Sequence, residues 1–323
     1  VKPVNAPQGW TFLEPVAQDG SSRRYSRIEK NGHAAVHMDC GYSPAAATDI
    51  ADFVRIGNWL NGIGLNAPDI YEQGRDYLVI EDFGDLTFKS ALAVQGADEL
   101  YGLAIDVMNH MQAQKDIPVL PGYYQSNVHK GRRRIIDWYA PLVRQQENPA
   151  GLVQEYLDVW SAIEKYAAPV EDCFVHADFH LENLMFLPDR KGLHRCGIID
   201  FQGAMSGPDV YDLGNLLEDV RIDVPMAIRS RYLAARDPAF KIRYRILTTQ
   251  FHCRVLGQFI KLAVKDHKTD YLHYIPRVQT LIRRALQDPL LKPLKEFFDK
   301  SGISLHAKID LRDVKSLVAP DAF

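Results

Sequence analysis

The apolar positions change period once along the chain. Up to residue 83 they fall in short runs, Tyr25–Glu29, Ala34–Met38 and Tyr77–Ile80, bounded by Gly20-Ser21-Ser22, Asn31-Gly32 and Gly74, the pattern of strands joined by turns. Asn31-Gly32 predicts a tight hairpin, because both central residues of such a turn need positive φ. Between these runs Ile50, Phe53, Val54, Gly57 and Leu60 recur at helical spacing and predict one amphipathic helix. From residue 84 the period becomes helical. Leu100, Leu103, Ala104, Val107, Met108 and Met111 form one stripe, and Leu152, Tyr156, Leu157, Trp160 and Ile163 another. Further helices are expected over about 226–235, 242–264 and 275–286, separated by Pro238, His267–Asp270 and Pro289. A sheet with one helix, then a helical remainder, predicts an α+β chain divided into 1–83 and 84–323.

The helical half is interrupted by three short apolar runs, Cys173–Val175, Leu184–Leu187 and Cys196–Ile199. Pro188-Asp-Arg-Lys-Gly192 reads as a chain reversal between the last two, so that they pair as a hairpin. Cys173–Val175 is expected beside Leu184–Leu187, so that the loop joining them shows its polar residues at one end of neighbouring strands. That loop reads His176-Ala-Asp178-Phe-His-Leu-Glu-Asn183, and the returning strand ends in Ile198-Ile-Asp200-Phe201. Phosphoryl transfer needs such a set: a carboxylate to orient and deprotonate the acceptor hydroxyl, and oxygen ligands for magnesium. Asp178 fits the first role, and Asn183 with Asp200 the second. Taken singly, each would pass for a turn or cap residue.

Composition narrows the alternatives. With 323 residues, 46% of them hydrophobic, the chain can bury one large core or two lobes. A net charge of −3 speaks against a nucleic-acid binder that works by neutralising phosphates. Arg132-Arg133-Arg134, the basic triplet, reads as a solvated helix face. Cys40, Cys173, Cys196 and Cys253 lie far apart without metal-ligand spacing and read as small buried hydrophobes of a reducing compartment. No apolar stretch approaches the length of a membrane span, and no secretory leader pattern opens the sequence. A cytoplasmic protein with a small-molecule partner, and neither nucleic acid nor membrane, is the expectation.

The stretch His176 to Leu213, with Gly207-Pro208 and Tyr211-Asp212-Leu213 after the Asp-Phe pair, resembles the catalytic core of the aminoglycoside phosphotransferase and choline kinase family. The resemblance implies a bilobal protein-kinase-like fold, with a small antiparallel-sheet lobe that binds ATP, and a larger helical lobe. It also implies that His176 and Asp212 brace the catalytic loop, while His180 is a loop residue without a part in the chemistry. Gly20, Ser21, Ser22, Arg23 and Arg24 would then occupy the phosphate-covering loop. Tyr77–Gly84 would be the hinge, with Glu81 and Phe83 presenting backbone groups to adenine. One departure stands out: Met38 occupies the position of the family's strand lysine. Either Arg23 or Arg24 then supplies the positive charge, or catalysis has been lost.

A closer resemblance is carried by Gly20–Tyr25, the lysine-free Val36–Asp39, Asp200–Ala204, Leu216–Val224, Arg254–Phe259 and Ile275–Arg277. These segments look like those of bacterial kinases that phosphorylate the anomeric hydroxyl of N-acetylmuramate or N-acetylglucosamine in cell-wall recycling. That subfamily pattern also lacks the lysine. Asp219, Arg221 and Arg254 are the candidates for sugar contacts, each with an ordinary structural ion-pair role as the alternative. An aminoglycoside-modifying enzyme, a choline kinase, and an inactive kinase-like binding module stay open as other readings.

Overall fold

The computed structural model describes residues 6–16, 23–41 and 44–319, with backbone alone at 44–46. The chain divides into two compact units, Val1–Leu120 with Cys173–Met205, and Pro121–Asp172 with Ser206–Phe323.

The first unit is built on a five-stranded sheet with strand order β1-β2-β3-β5-β4. The strands are β1 (Thr11–Pro15), β2 (Arg24–Lys30), β3 (His33–Asp39), β4 (Ile70–Gln73) and β5 (Tyr77–Glu81), and every pairing is antiparallel. The predicted hairpin joins β2 to β3, with Asn31 at φ 55° and Gly32 at φ 77°. β1 and β4 have no clear apolar run. All five residues of β1 are exposed, and β4 alternates exposed with half-buried positions, so neither carries the signal by which strands are read.

Helix α1 (Pro44–Gly62) buries Ile50, Phe53, Ile56 and Leu60. Its packing reaches directly into the segment that carries the chemistry. Phe53 lies 4.7 Å from the Phe201 ring, centroid to centroid, and Trp59 stacks on Phe174 at 4.6 Å. Gly57 admits the Phe201 edge: a Cβ there would sit 3.2 Å from Cζ of that ring. After β5 come a short helix α2 (Phe88–Ala91), capped by the Thr87 side chain, and α3 (Ala97–Gln112), whose Leu100, Ala104, Val107, Met108 and Met111 are buried as the stripe predicts. The first unit is completed by β6 (Cys173–Val175) and the hairpin of β7 (Leu184–Phe186) with β8 (Cys196–Ile198), in the register Leu184↔Ile198. β6 is not part of the β7·β8 ladder, contrary to the expectation of neighbouring strands.

The second unit is helical. A distorted run holds α4 (Asn127–Lys130), a 3₁₀ turn at Gly131–Arg133, a π-helical turn at Ile135–Tyr139 and α5 (Ala140–Arg144). It is followed by α6 (Leu152–Glu164), α7 (Tyr211–Leu217), α8 (Met226–Ala234), α9 (Pro238–Lys265), α10 (Ile275–Ala285) and α11 (Lys292–Lys300). Tyr156 and Trp160 of α6 meet Phe297 and Phe298 of α11 in one buried aromatic cluster. The helices break just before Pro238, as the sequence predicts, α8 ending at Ala234 and the proline standing first in α9. In that first turn its missing N–H costs nothing, and the Asp237 side chain caps the Phe240 amide at 2.8 Å. No helix among the described residues is long and apolar enough to cross a membrane. None of the four cysteines forms a disulfide among the described residues, and Cys173, Cys196 and Cys253 are buried.

Candidate active site

The loop from β6 to β7 and the end of β8 are stitched together by backbone and side-chain bonds. The Ile199 amide donates to the Asn183 carbonyl at 3.1 Å, which continues the hairpin up to the residue before Asp200. His176, fully buried, donates from Nε2 to the Ile199 carbonyl at 3.0 Å and accepts the Asp178 amide on Nδ1 at 3.3 Å. Burial is the main reason its imidazole is pushed down to about 4, so it is neutral at pH 7 and fixed in one tautomer. Ala177, with φ 75°, and Asp200, with φ 60°, both sit in the left-handed region that side chains other than glycine rarely adopt. The surrounding bonds hold that cost at the two turns where the carboxylates emerge.

Asp178 is half exposed and held from two sides. Asn183 Nδ2 donates to its backbone carbonyl at 3.0 Å and to Oδ2 at 3.3 Å, and His180 Nε2 lies 3.4 Å from Oδ1. The sequence reading gave His180 no role in the chemistry. In the structure the ring is buried, its Nδ1 accepts the Glu182 amide at 3.3 Å, and its Nε2 lies beside both Asp178 Oδ1 and, at 3.2 Å, Asn183 Nδ2. A histidine four residues from a second one in a loop has no periodicity to mark it, so only the folded loop reveals its direction.

Across the site, Asp200 Oδ1 accepts from Arg23 Nη2 at 3.1 Å and from Gln202 Nε2 at 2.6 Å. Burial, then the negative charge of Asp178, raise the Asp200 carboxyl above its usual range, against the pull of Gln202 and Arg23. Of the two candidate arginines, Arg23 reaches the site and Arg24 does not. Arg24 pairs with Asp39, its cross-strand partner in the β2·β3 ladder, at 2.5 Å. Met38 is fully buried opposite Tyr25 and Leu78 in the neighbouring strands, an apolar position in the middle of the sheet. Gly20, Ser21 and Ser22 lie outside the described residues.

The segment after β5 is fixed in place by contacts that the sequence did not announce. Arg27 clasps Asp82 at 2.5 Å and Asp85 at 2.9 Å, and Glu14 on β1 at 2.8 Å. Arg190 hydrogen-bonds the Glu81 carboxylate and lies 5.3 Å from the centroid of the Phe83 ring. That ring packs on Gly197, where a Cβ would come within 2.7 Å of it. The Glu81 amide donates to the Asp69 carbonyl at 2.8 Å, so it is already engaged within the chain.

The remaining candidates belong to the second unit. Asp212 is fully buried in the first turn of α7. Asp219 is buried, its Oδ1 accepting the Arg221 amide at 2.7 Å and its carbonyl accepting Arg277 Nε at 3.2 Å, the pattern of a turn-forming aspartate. Arg221 is half-buried. Arg254, on α9, donates to the Tyr211 hydroxyl at 3.2 Å.

The model of the phosphotransferase enzyme family matches residues 13–244, and the chain belongs to that family. The N-acetylmuramate/N-acetylglucosamine kinase of Caulobacter vibrioides is 30% identical over 89% of this chain and 91% of its own, and that of Pseudomonas aeruginosa 28% identical over 86% of each. Among solved structures, a choline/ethanolamine kinase family protein from Mesorhizobium loti superposes with TM-score 0.59 at 13% identity, over 88% of this chain and 92% of its own. The GDP and kanamycin complex of APH(2")-IIia gives 0.55 at 16% identity, over 88% and 94%. The α+β, protein-kinase-like fold expected from the sequence is thus the fold of the chain.

Proposed function

We propose that this phosphotransferase moves the γ-phosphate of ATP to a hydroxyl of an amino sugar, the anomeric hydroxyl of N-acetylmuramate or N-acetylglucosamine. The observation that carries the reading is the Asp178 carboxylate: half exposed, held by Asn183 and His180, and facing a site that Asp200 and Arg23 complete. The relatives named for these two sugars, matched over most of both chains, support the choice of acceptor.

Asp178 accepts the proton of the acceptor hydroxyl as its oxygen bonds to the γ-phosphorus and the bond to the bridging oxygen of ADP breaks. An anomeric hydroxyl is more acidic than an ordinary alcohol, because the ring oxygen withdraws electron density, so an ordinary carboxylate suffices as base. Arg23 takes the place of the strand lysine beside the phosphates, and Met38 contributes only packing. The Glu81 carbonyl and the Phe83 backbone present themselves to adenine at a segment that Arg27 and Arg190 hold rigid.

Magnesium fits the donor set. The hydrogen bonds of Asn183 run through Nδ2, which turns its amide oxygen to ligand duty, and Oδ2 of Asp200 lies opposite the atom that Arg23 and Gln202 engage. One carboxylate and one amide leave room for phosphate oxygens and water, as magnesium prefers, and no cluster of three or more acidic, histidine or cysteine ligands exists among the described residues. When bound, the ion would neutralise charge on the transferring phosphate.

The test incubates the protein with ATP, magnesium and N-acetylmuramate, N-acetylglucosamine, kanamycin or choline. The expected result is a mass gain of one phosphate on the amino sugars, at the anomeric carbon by phosphorus NMR, and a loss of at least about 10²-fold in kcat for Asp178→Asn. Phosphorylation of kanamycin or choline alone would overturn the acceptor, and no turnover with any acceptor would leave a binding module.

A further inference from the structure

One face of the sheet in the first unit takes its hydrogen-bond donors from a single strand. Residues directly opposed in an antiparallel ladder share a face, and here the registers run Tyr25↔Met38↔Leu78 and Arg27↔Val36↔Ile80. β3 and β5 give this face only apolar groups: Met38, Leu78 and Ile80 are buried, and Val36 is half-buried. Tyr25 and Arg27, both on β2, are left as the donors among these six positions. Arg27 is already spent on Asp82, Asp85 and Glu14.

Tyr25 is half-buried, and its hydroxyl makes no hydrogen bond among the described residues. The ionisable groups that act on the phenol are Arg23, Asp200, Cys40 and, on α1, Asp49. The first two are the pair that meets at 3.1 Å, so Tyr25 stands on the Arg23 and Asp200 side of the site. Burial is the main reason its phenol is pushed up to about 12, against the pull of Arg23, and it therefore keeps its proton at pH 7. A partly buried hydroxyl without a partner, next to a guanidinium, is a donor suited to an anionic oxygen.

We propose that the Tyr25 hydroxyl donates to a phosphate oxygen of the nucleotide, as a second donor beside Arg23. The two residues then make, from β2 and the position just before it, contacts that the apolar Met38 cannot make from β3. This inference rests on the reading above that the site binds ATP.

Tyr25→Phe keeps the ring and removes only the oxygen, and Tyr166→Phe removes a hydroxyl from a residue that is 66% exposed, as the control. The experiment measures KM for ATP and for the amino sugar, the thermal midpoint, and calorimetric binding of adenylyl imidodiphosphate with magnesium, in the parent and both variants. In Tyr25→Phe, KM for ATP and the dissociation constant of the analogue are expected to rise about tenfold, the scale of one hydrogen bond to a charged group. KM for the sugar and the thermal midpoint should stay at the parent's values, and Tyr166→Phe should match the parent throughout. Unchanged binding of the analogue to Tyr25→Phe overturns the phosphate contact. So does a loss shared by the thermal midpoint, which would make the hydroxyl a packing group. The calorimetric arm decides the matter whatever the acceptor is, and failure of the parent to bind the analogue overturns the nucleotide reading itself.

Discussion

The His176 imidazole lies 3.0 Å from the Ile199 carbonyl through Nε2, while its Nδ1 accepts the amide of Asp178. One neutral ring thereby ties the residue before Asp200 to the residue that carries the proposed base, and it fixes the spacing between the two carboxylates. His176→Ala should remove both of these hydrogen bonds and the packing of a buried ring, at a cost of about 2 kcal/mol. Because the lost geometry is between catalytic groups rather than with substrate, kcat should fall at least about tenfold while KM for ATP moves little. Steady-state kinetics with a urea melt measures both, and an unaltered kcat in a destabilised variant would show the ring to be structural only.

Arg23 and Arg24 are adjacent in sequence and differ in use, because Arg24 opens β2 and pairs across the ladder with Asp39, whereas Arg23 precedes the strand and turns to Asp200. Arg23→Gln should raise KM for ATP about tenfold or more, the scale of one charge-assisted contact. Arg24→Gln removes an exposed pair with Asp39 and should change KM by less than about twofold. The opposite ranking would place the phosphate charge on Arg24.

Gly197 gives the Phe83 ring its seat. Gly197→Ala must displace that ring, and overpacking of this kind costs about 1–3 kcal/mol. The displaced segment should raise KM for ATP. Gly62→Ala, with nothing within 4 Å of the added methyl, is the control. Equal KM values in the two variants would separate the Phe83 segment from nucleotide binding.

Three buried histidines, His129, His176 and His252, weaken the protein toward acid pH. Burial is the largest cause that holds them at about 4, against about 6.5 in an unfolded chain. The unfolded state therefore binds protons first as pH falls. The stability that the neutral rings permit is fully present above pH 6.5 and is lost between pH 6.5 and 4, about 3 kcal/mol for each ring. His252→Gln should remove one proton from the uptake linked to unfolding over that window, read as a shallower slope of unfolding free energy against pH. A slope identical to the parent's would show that His252 does not titrate on unfolding.

The strands with apolar runs, the Asn31-Gly32 turn and the β7·β8 hairpin were legible because local period and turn chemistry agree with the fold. β1 and β4 were not, since exposed strands have no buried face to write a pattern. Pro238 was legible as a break between helices, but that it opens the second of them depends on Asp237 being engaged as its cap. Within the site, Asp178, Asn183 and Asp200 stood out by spacing. His180, Arg190 and Arg27 did not, because each acts on residues distant in sequence, or through a direction that only the loop conformation sets.

The sequence by itself determined the class of the protein and the chemistry its short motifs can perform, since residue type and spacing along a strand or loop fix which oxygen-bearing groups emerge together. Only the tertiary structure decided that the segment Cys173–Met205 is compact with the sheet, and that Arg23 rather than Arg24 meets Asp200. The physical reason is that charge pairing depends on which side chains share a space in the folded chain, and on how much water they retain there. Neither quantity is written in the order of residues.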